Sequence, residues 1–294
     1  MINVPIFLVH PLGQSLVMLR TRVITAIFLV IGFLTALYLA SDLTWALLSL
    51  SVTLIGVWEW SKLIALNTWQ MRLMLLIGLA IGLLFIFSPN LSISPFYNVV
   101  KLVLMAMASL FWLIVAPFFL WSGIKVNYKW WMAALGLLLL LATWLALVGL
   151  HHISPWVLLS VLATVWIADS AAYFAGKRFG RNKLAPSISP GKTWEGVAGA
   201  ILAVSVYGYI LCYSFNLSVW LIVGMALLVV LSVMGDLFES LLKRQAGVKD
   251  SSQLLPGHGG VLDRIDGLIP TLVLTFFVYL FSPFCEVISA CLSL

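Results

Sequence analysis

Nine runs of apolar residues, each long enough to cross a lipid bilayer, dominate this chain. A hydrocarbon core of about 30 Å takes roughly 20 apolar helical residues to span. Inside lipid each segment must satisfy its own backbone hydrogen bonds, which selects helices for runs of this length. The runs fall at approximately 23–41, 43–60, 72–88, 101–121, 130–150, 154–176, 196–215, 217–239 and 266–288. Composition agrees, with 63% hydrophobic and only 9% charged residues, whereas soluble domains carry roughly 25% charged. The expected fold is therefore all-α: a polytopic membrane protein with about nine transmembrane helices. Asn90 to Asn98, with Pro89 and Pro95, reads as a loop between two of them.

Basic residues give the orientation, because cytoplasmic loops carry an excess of Lys and Arg. With Arg20 and Arg22 inside, nine crossings put 61–71, 122–129, 177–195 and 240–265 on the same side. Together with Arg20 and Arg22, those segments and their immediate borders hold fifteen of the sixteen Lys and Arg residues, and Lys101 alone lies opposite. The N-terminus is then cytoplasmic and the C-terminus outside. The net charge of +6 is accounted for by this asymmetry, and nucleic acid is not an expected partner. Cys212, Cys285 and Cys291 show no metal or redox spacing and read as small buried side chains. Residues 1–19 lack the basic start of a cleaved leader. The chain is divided into an extension over 1–17 with no assigned role, a transmembrane scaffold over 18–150 and a catalytic transmembrane region over 151–294. The first five runs are almost free of ionisable groups, hence scaffold.

Polar chemistry gathers in the last third. Asp236, Glu239, Asp263 and Asp266 lie at the cytoplasmic ends of two spans, with Asp169 near that end of a third. Asp236, Ser240 and Lys243 share a helical face. An ionised side chain at membrane depth costs about 2.5–3.5 kcal/mol, and several together repel one another. A bound cation offsets both costs, and hard oxygen donors without a His–Cys set favour Mg2+ over zinc. The plainer alternative is interfacial pairing with Lys243, Arg244, Lys249 and Arg264.

Pro256-Gly257-His258-Gly259-Gly260 lies between the two acidic groups and favours the first account. Glycines let backbone N–H groups close on an anion. Metal-ligating acids beside phosphate-binding bases are what phosphoryl and nucleotidyl transfer require. His258 either contacts phosphate, shuttles a proton or merely caps the loop. Ser189-Pro190-Gly191-Lys192-Thr193 carries a Gly-Lys-Thr core, but Pro186 stands where a P-loop needs glycine. A basic, hydroxyl-rich loop is the better description, able to meet phosphate with Ser187, Ser189, Lys192 and Thr193.

These residues resemble a known pattern. The run from Ser240 to Asp266, SLLKRQAGVKDSSQLLPGHGGVLDRID, is similar to the signature of the phosphatidate cytidylyltransferases, also called CDP-diacylglycerol synthases: S-x-x-K-R, K-D, P-x-H-G-G and D-R-x-D. MGDLFES, WIADSAAYFAGKRFG and KLAPSISPGKTWEG extend the likeness over about 160–270. Members often start near a Met-Leu-x-x-Arg, here Met18, so residues 1–17 depart from the pattern.

The resemblance implies that CTP and phosphatidate, the latter drawn from the membrane, give CDP-diacylglycerol and pyrophosphate at the cytoplasmic face of a cell inner membrane. It implies Mg2+, with a second, monovalent cation such as K+ beside it. Asp236 and Asp263 are the first choices as Mg2+ ligands, with Asp266 and Glu239 in or near the same shell. Catalytic roles are expected for Asp236, Asp263, Asp266, Lys243 and His258. Substrate contacts are expected from Ser187, Ser189, Lys192, Thr193, Ser240, Arg244, Lys249, Gly259, Gly260 and Arg264. A homodimer is compatible with this reading. The competing classes are a related lipid-phosphate enzyme, of the polyprenol kinase or CDP-archaeol synthase type, and a transporter. A transporter should carry its ionisable groups nearer the midplane and in repeated halves.

Overall fold

The computed structural model describes residues 30–88, 95–123, 128–254 and 259–281. Two compact units are distinguished, Met1–Ser41 and Asp42–Leu294. In the first, the described part is helix α1, Val30–Leu39. The second holds α2 (Asp42–Leu63), α3 (Thr68–Phe87), α4 (Tyr97–Ser122), α5 (Lys129–Ile153) and α6 (Pro155–Phe179), then α7 (Trp194–Phe215) and α8 (Trp220–Gln245). These seven are long and apolar enough to cross a membrane, so the chain is a multi-pass membrane protein. A single-turn α9 (Leu262–Ile265) and the shorter apolar α10 (Leu268–Phe281) follow. Runs 23–41 and 266–288 are only partly within the described residues. Residues 1–17, the 89–94 part of the expected loop, and His258 lie outside them.

Helix ends follow local sequence rules. Asn67 and Gln70 form a reciprocal capping box at the start of α3. Between α5 and α6 the chain turns at Ser154, whose hydroxyl accepts from Trp156 N, with Pro155 in the first turn of α6 where its missing N–H costs nothing. Helix α8 has 26 residues and is therefore about 39 Å long, longer than the hydrocarbon core. Its last turns run past the apolar segment that ends at 239 and carry Ser240 and Lys243 out on the same rigid rod. Within α4 a π-helical turn spans Phe111–Val115.

Helix α2 packs on α3 and α5, α5 on α10, and α8 lies against α6, α7 and α10. Three indole N–H groups stitch α2 to α5: Trp60 to Met132 O (2.9 Å), Trp144 to Ala46 O (3.1 Å) and Trp45 to Leu147 O (3.3 Å). In a medium without water such bonds satisfy the one polar atom of a large apolar ring. Small residues set the closest approaches, as in other membrane helix pairs. A Cβ at Gly199 would lie 2.4 Å from that of Ala175, and one at Gly235 would lie 2.2 Å from Asp266 O. Phe238 packs among Phe111, Trp112 and Phe119 of α4 and Trp60 of α2, with ring centroids 5.2–6.5 Å away. That apolar anchor fixes which way α8 turns its acidic face.

One element departs from an all-helical expectation. Lys183–Ala185 (β1) and Ser189–Thr193 (β2) pair as a small antiparallel hairpin where the sequence reads as loop. Pro186 and Gly191 are turn and breaker signals that hide so short a ladder.

Candidate active site

The hairpin delivers the first functional side chain. Its base is closed by Glu195, whose carboxylate accepts from Asn182 N (3.1 Å) and Asn182 Nδ2 (2.8 Å). Its tip is seated by Ile188, buried against Leu237 and Leu241 of α8. Arg244 Nε donates to Ile188 O at 3.3 Å. So held, β2 places Lys192 Nζ 2.7 Å from Asp236 Oδ2, and the same ammonium donates to Val233 O at 3.3 Å. Ser240 Oγ donates to Asp236 Oδ1 at 3.3 Å.

One turn further along α8, Lys243 joins the two acidic groups. Its Nζ lies 2.6 Å from Glu239 Oε2 and 2.6 Å from Asp263 Oδ1; Glu239 and Lys243 are buried and Asp263 partly so. Asp263 is more heavily engaged still. Oδ2 accepts from Gly260 N (2.8 Å) and Ser251 N (3.0 Å), and Ser251 Oγ stands 3.0 Å away, between this carboxylate and that of Glu59. Burial works against its charge, but the bonds from Lys243, Gly260 and Ser251 outweigh it and hold the Asp263 carboxyl below the usual aspartate range. Asp263 is thus an ionised acceptor that organises the loop before it.

Asp266 accepts from Gly267 N at 2.8 Å and interacts electrostatically with Asp236 and Glu239. The close pass at Gly235 brings it there. Asp169 on α6 interacts with Asp236 and Lys192. Five carboxylates and two lysines therefore form one connected electrostatic group. If all ionise, the acids carry three charges more than the lysines neutralise. Glu239 Oε1 is buried without a hydrogen-bond partner. Among the described residues, no three His, Cys, Asp or Glu side chains form a ready-made metal cage.

The expected substrate residues divide. Lys192, Asp236, Ser240, Lys243, Asp263 and Gly260 meet at one place, with Glu239 and Asp266 beside them. Thr193 is buried, and its hydroxyl accepts from Gly196 N at 3.1 Å as the N-cap of α7. Ser187 is exposed in the hairpin turn and Ser189 half-buried on β2. Arg244 is exposed and braces the hairpin and Val248 O, while Lys249 and Arg264 are exposed nearby in sequence. Gly259 takes φ +80°, a left-handed backbone that suits glycine.

Sequence reasoning passed over Glu59. It sits on α2, among helices read as scaffold, yet it is fully buried and accepts hydrogen bonds from Ser251, Ser252, Val261 and Leu262. The signal was present, since a carboxylate inside an apolar run is costly enough to need a reason.

Comparisons with known proteins point to one family. The cytidylyltransferase family matches residues 20–282. A Haemophilus influenzae protein named phosphatidate cytidylyltransferase is 36% identical over 288 residues, covering 90% of this chain and 99% of its own. A Pseudomonas aeruginosa protein of the same name is 37% identical over 261 residues, covering 85% and 93%. A Thermotoga maritima protein of that name is 44% identical over 129 residues, covering 41% and 48%. With the family matched over most of the chain and two relatives alike along nearly their whole lengths, this protein belongs to the cytidylyltransferase family.

Proposed function

We propose that this protein is a CTP:phosphatidate cytidylyltransferase, making CDP-diacylglycerol and pyrophosphate at the cytoplasmic face of a cell inner membrane. The observation that carries this reading is the meeting of Lys192 and Lys243 with Asp236, Glu239 and Asp263 at the end of a long membrane helix. Membrane-embedded phosphatidate and soluble CTP both reach such a place.

An oxygen of the phosphatidate phosphate bonds to the α-phosphorus of CTP. The bond from that phosphorus to the bridging oxygen breaks, and pyrophosphate leaves with the electron pair. The attacking phosphate is already ionised at neutral pH, so no strong base is needed. Bringing two anions together and neutralising charge is the main task. An ammonium has three donors. Lys192 uses two of them on Asp236 and Val233 O, and Lys243 uses two on Glu239 and Asp263. Among the described residues that leaves each with one N–H for a phosphate oxygen. Arg244, Lys249 and Arg264, with the hydroxyls of Ser187, Ser189 and Ser240 and the backbone at Gly259 and Gly260, supply further anion contacts.

The acidic group fits a divalent cation. The mutual repulsion of Asp236 and Asp266, which a cation would relieve, and the orphaned Glu239 Oε1 both favour one. Mg2+ is characteristically held by one or two carboxylates together with water and substrate phosphates, without a full protein cage. Asp236 and Asp266 are the best placed, with Glu239 next. Asp263 joins them only by releasing Lys243 or Ser251. When bound, the ion neutralises charge on the polyphosphate, and a monovalent cation such as K+ beside it is a further expectation. A homodimer is likewise expected, to be read by mass measurement in detergent.

Purified protein incubated with labelled CTP, phosphatidate and Mg2+ is expected to yield lipid-soluble cytidine and equimolar pyrophosphate. Chelation should abolish turnover and added Mg2+ restore it. Label that stays in water, or transfer only to a polyprenol or archaeol lipid, overturns this reading.

A further inference from the structure

Four donor groups converge on Glu59, two per oxygen, one of them the Ser251 hydroxyl, whose single proton is shared with Asp263. Oε1 takes Ser252 Oγ at 2.5 Å and Val261 N at 2.9 Å, and Oε2 takes Leu262 N at 2.7 Å and Ser251 Oγ at 3.2 Å. All four donors are uncharged. A carboxylate offers about four acceptor sites, and at Glu59 each of the four faces a donor group. Its partners lie roughly 200 residues away in sequence, at two places: Ser251 and Ser252 in the loop after α8, and Val261 and Leu262 where that loop enters α9.

Burying a carboxylate without a basic partner is costly unless hydrogen bonds replace its water. For packing α2 alone, an apolar side chain would serve better. What the site requires is an acceptor of four converging donors. Gly260 fits around it, for a Cβ there would lie 2.1 Å from Ser251 Oγ and 2.6 Å from Glu59 Oε1. Ser251 Oγ also stands 3.0 Å from Asp263 Oδ2, and Gly260 N donates to the same oxygen. A continuous path therefore runs from Glu59 through Ser251 and Gly260 to Asp263 and on to Lys243.

We propose that Glu59 is a positioning residue for nucleotidyl transfer, a clamp from the N-terminal helices that fixes Ser251, Gly260 and Asp263 against Lys243. This rests on the function proposed above. Glu59 touches no reacting atom; it acts through the loop.

Glu59→Gln keeps the shape but turns one acceptor oxygen into a donor that faces two donors. Glu59→Gln is expected to remain folded and to raise KM for CTP while lowering kcat, with kcat/KM down roughly 100-fold, the scale of a small displacement transmitted to a site. Asp42→Asn, which changes the other acid of α2 at its far end, should leave both constants unchanged. A second readout is independent of activity. Cysteine introduced at the exposed Gln253 in a cysteine-free background should react faster with maleimide when Glu59 is Gln.

Wild-type kinetics in folded Glu59→Gln overturns the proposal. So does a lower yield of protein whose folded molecules turn over normally. If Glu59→Gln does not fold, Ser252→Ala decides: altered KM and faster labelling support the clamp, and unchanged values refute it. If wild-type protein makes no lipid-soluble cytidine, the functional reading has failed, and the labelling rates alone judge the clamp.

Discussion

Lys243 is the residue on which the most buried charge depends, since it pairs Glu239 and Asp263 at once. Removing one partner of a buried ion pair leaves the other charge uncompensated and costs about 3–5 kcal/mol. Lys243→Met strands two carboxylates and should fall at the upper end of that range, read as a lowered midpoint of thermal unfolding in detergent. Adding Glu239→Gln should recover part of the loss, because it removes one of the stranded charges. Lys192 differs, being partly exposed with a partly exposed partner. Lys192→Met should therefore shift stability little but lower kcat/KM by roughly 100-fold or more, the order lost when a positioned charge is removed from a transition state. Arginine there should rescue poorly, because a planar fork does not replace a compact ammonium between Asp236 and Val233 O.

At the scale of elements, the site exists because α8 and the start of α10 come unusually close. Gly235→Ala puts a methyl group 2.2 Å from Asp266 O and 2.9 Å from the Pro270 ring. It should push Asp266 from Asp236 and reduce turnover more than it reduces the amount of folded protein, measured as specific activity per molecule recovered by gel filtration. The hairpin gives a complementary test. Thr193 caps α7, so Thr193→Val should cost about 1 kcal/mol of stability, and Thr193→Ser should restore it. The long apolar runs made seven spans legible from sequence, and helical spacing placed Asp236, Ser240 and Lys243 on one face. The six residues by which α8 outruns its apolar segment were not legible, because hydropathy falls before hydrogen bonding does. Nor was the hairpin, whose three-residue strand lies beside a proline turn. Glu59 differs: its presence in an apolar run marks it as unusual, but its partners are roughly 200 positions away, and no local pattern announces a contact of that range.

At the scale of the molecule, one arrangement has to satisfy two solvents. Phosphatidate keeps its acyl chains in lipid, CTP stays in water, and the acidic group lies near the end of α8, whose 26 residues exceed the membrane core. The short turn between α7 and α8, which begins at Asn216 with φ +52°, then belongs to the opposite side. The concentration of Lys and Arg in alternate loops predicts a cytoplasmic α8 end. That assignment is measurable without any activity. In a cysteine-free background, a cysteine at Lys249 should be labelled by a membrane-impermeant maleimide only after cells are opened, and one at Asn216 should be labelled in intact cells whose outer surface is accessible. The reverse pattern would invert the topology and leave Lys192 and Lys243 facing a compartment without CTP. Labelling of both from one side would require an even number of crossings in place of the single helix α8 between them. Only the first pattern lets one site draw its lipid from the bilayer and its nucleotide from the cytoplasm.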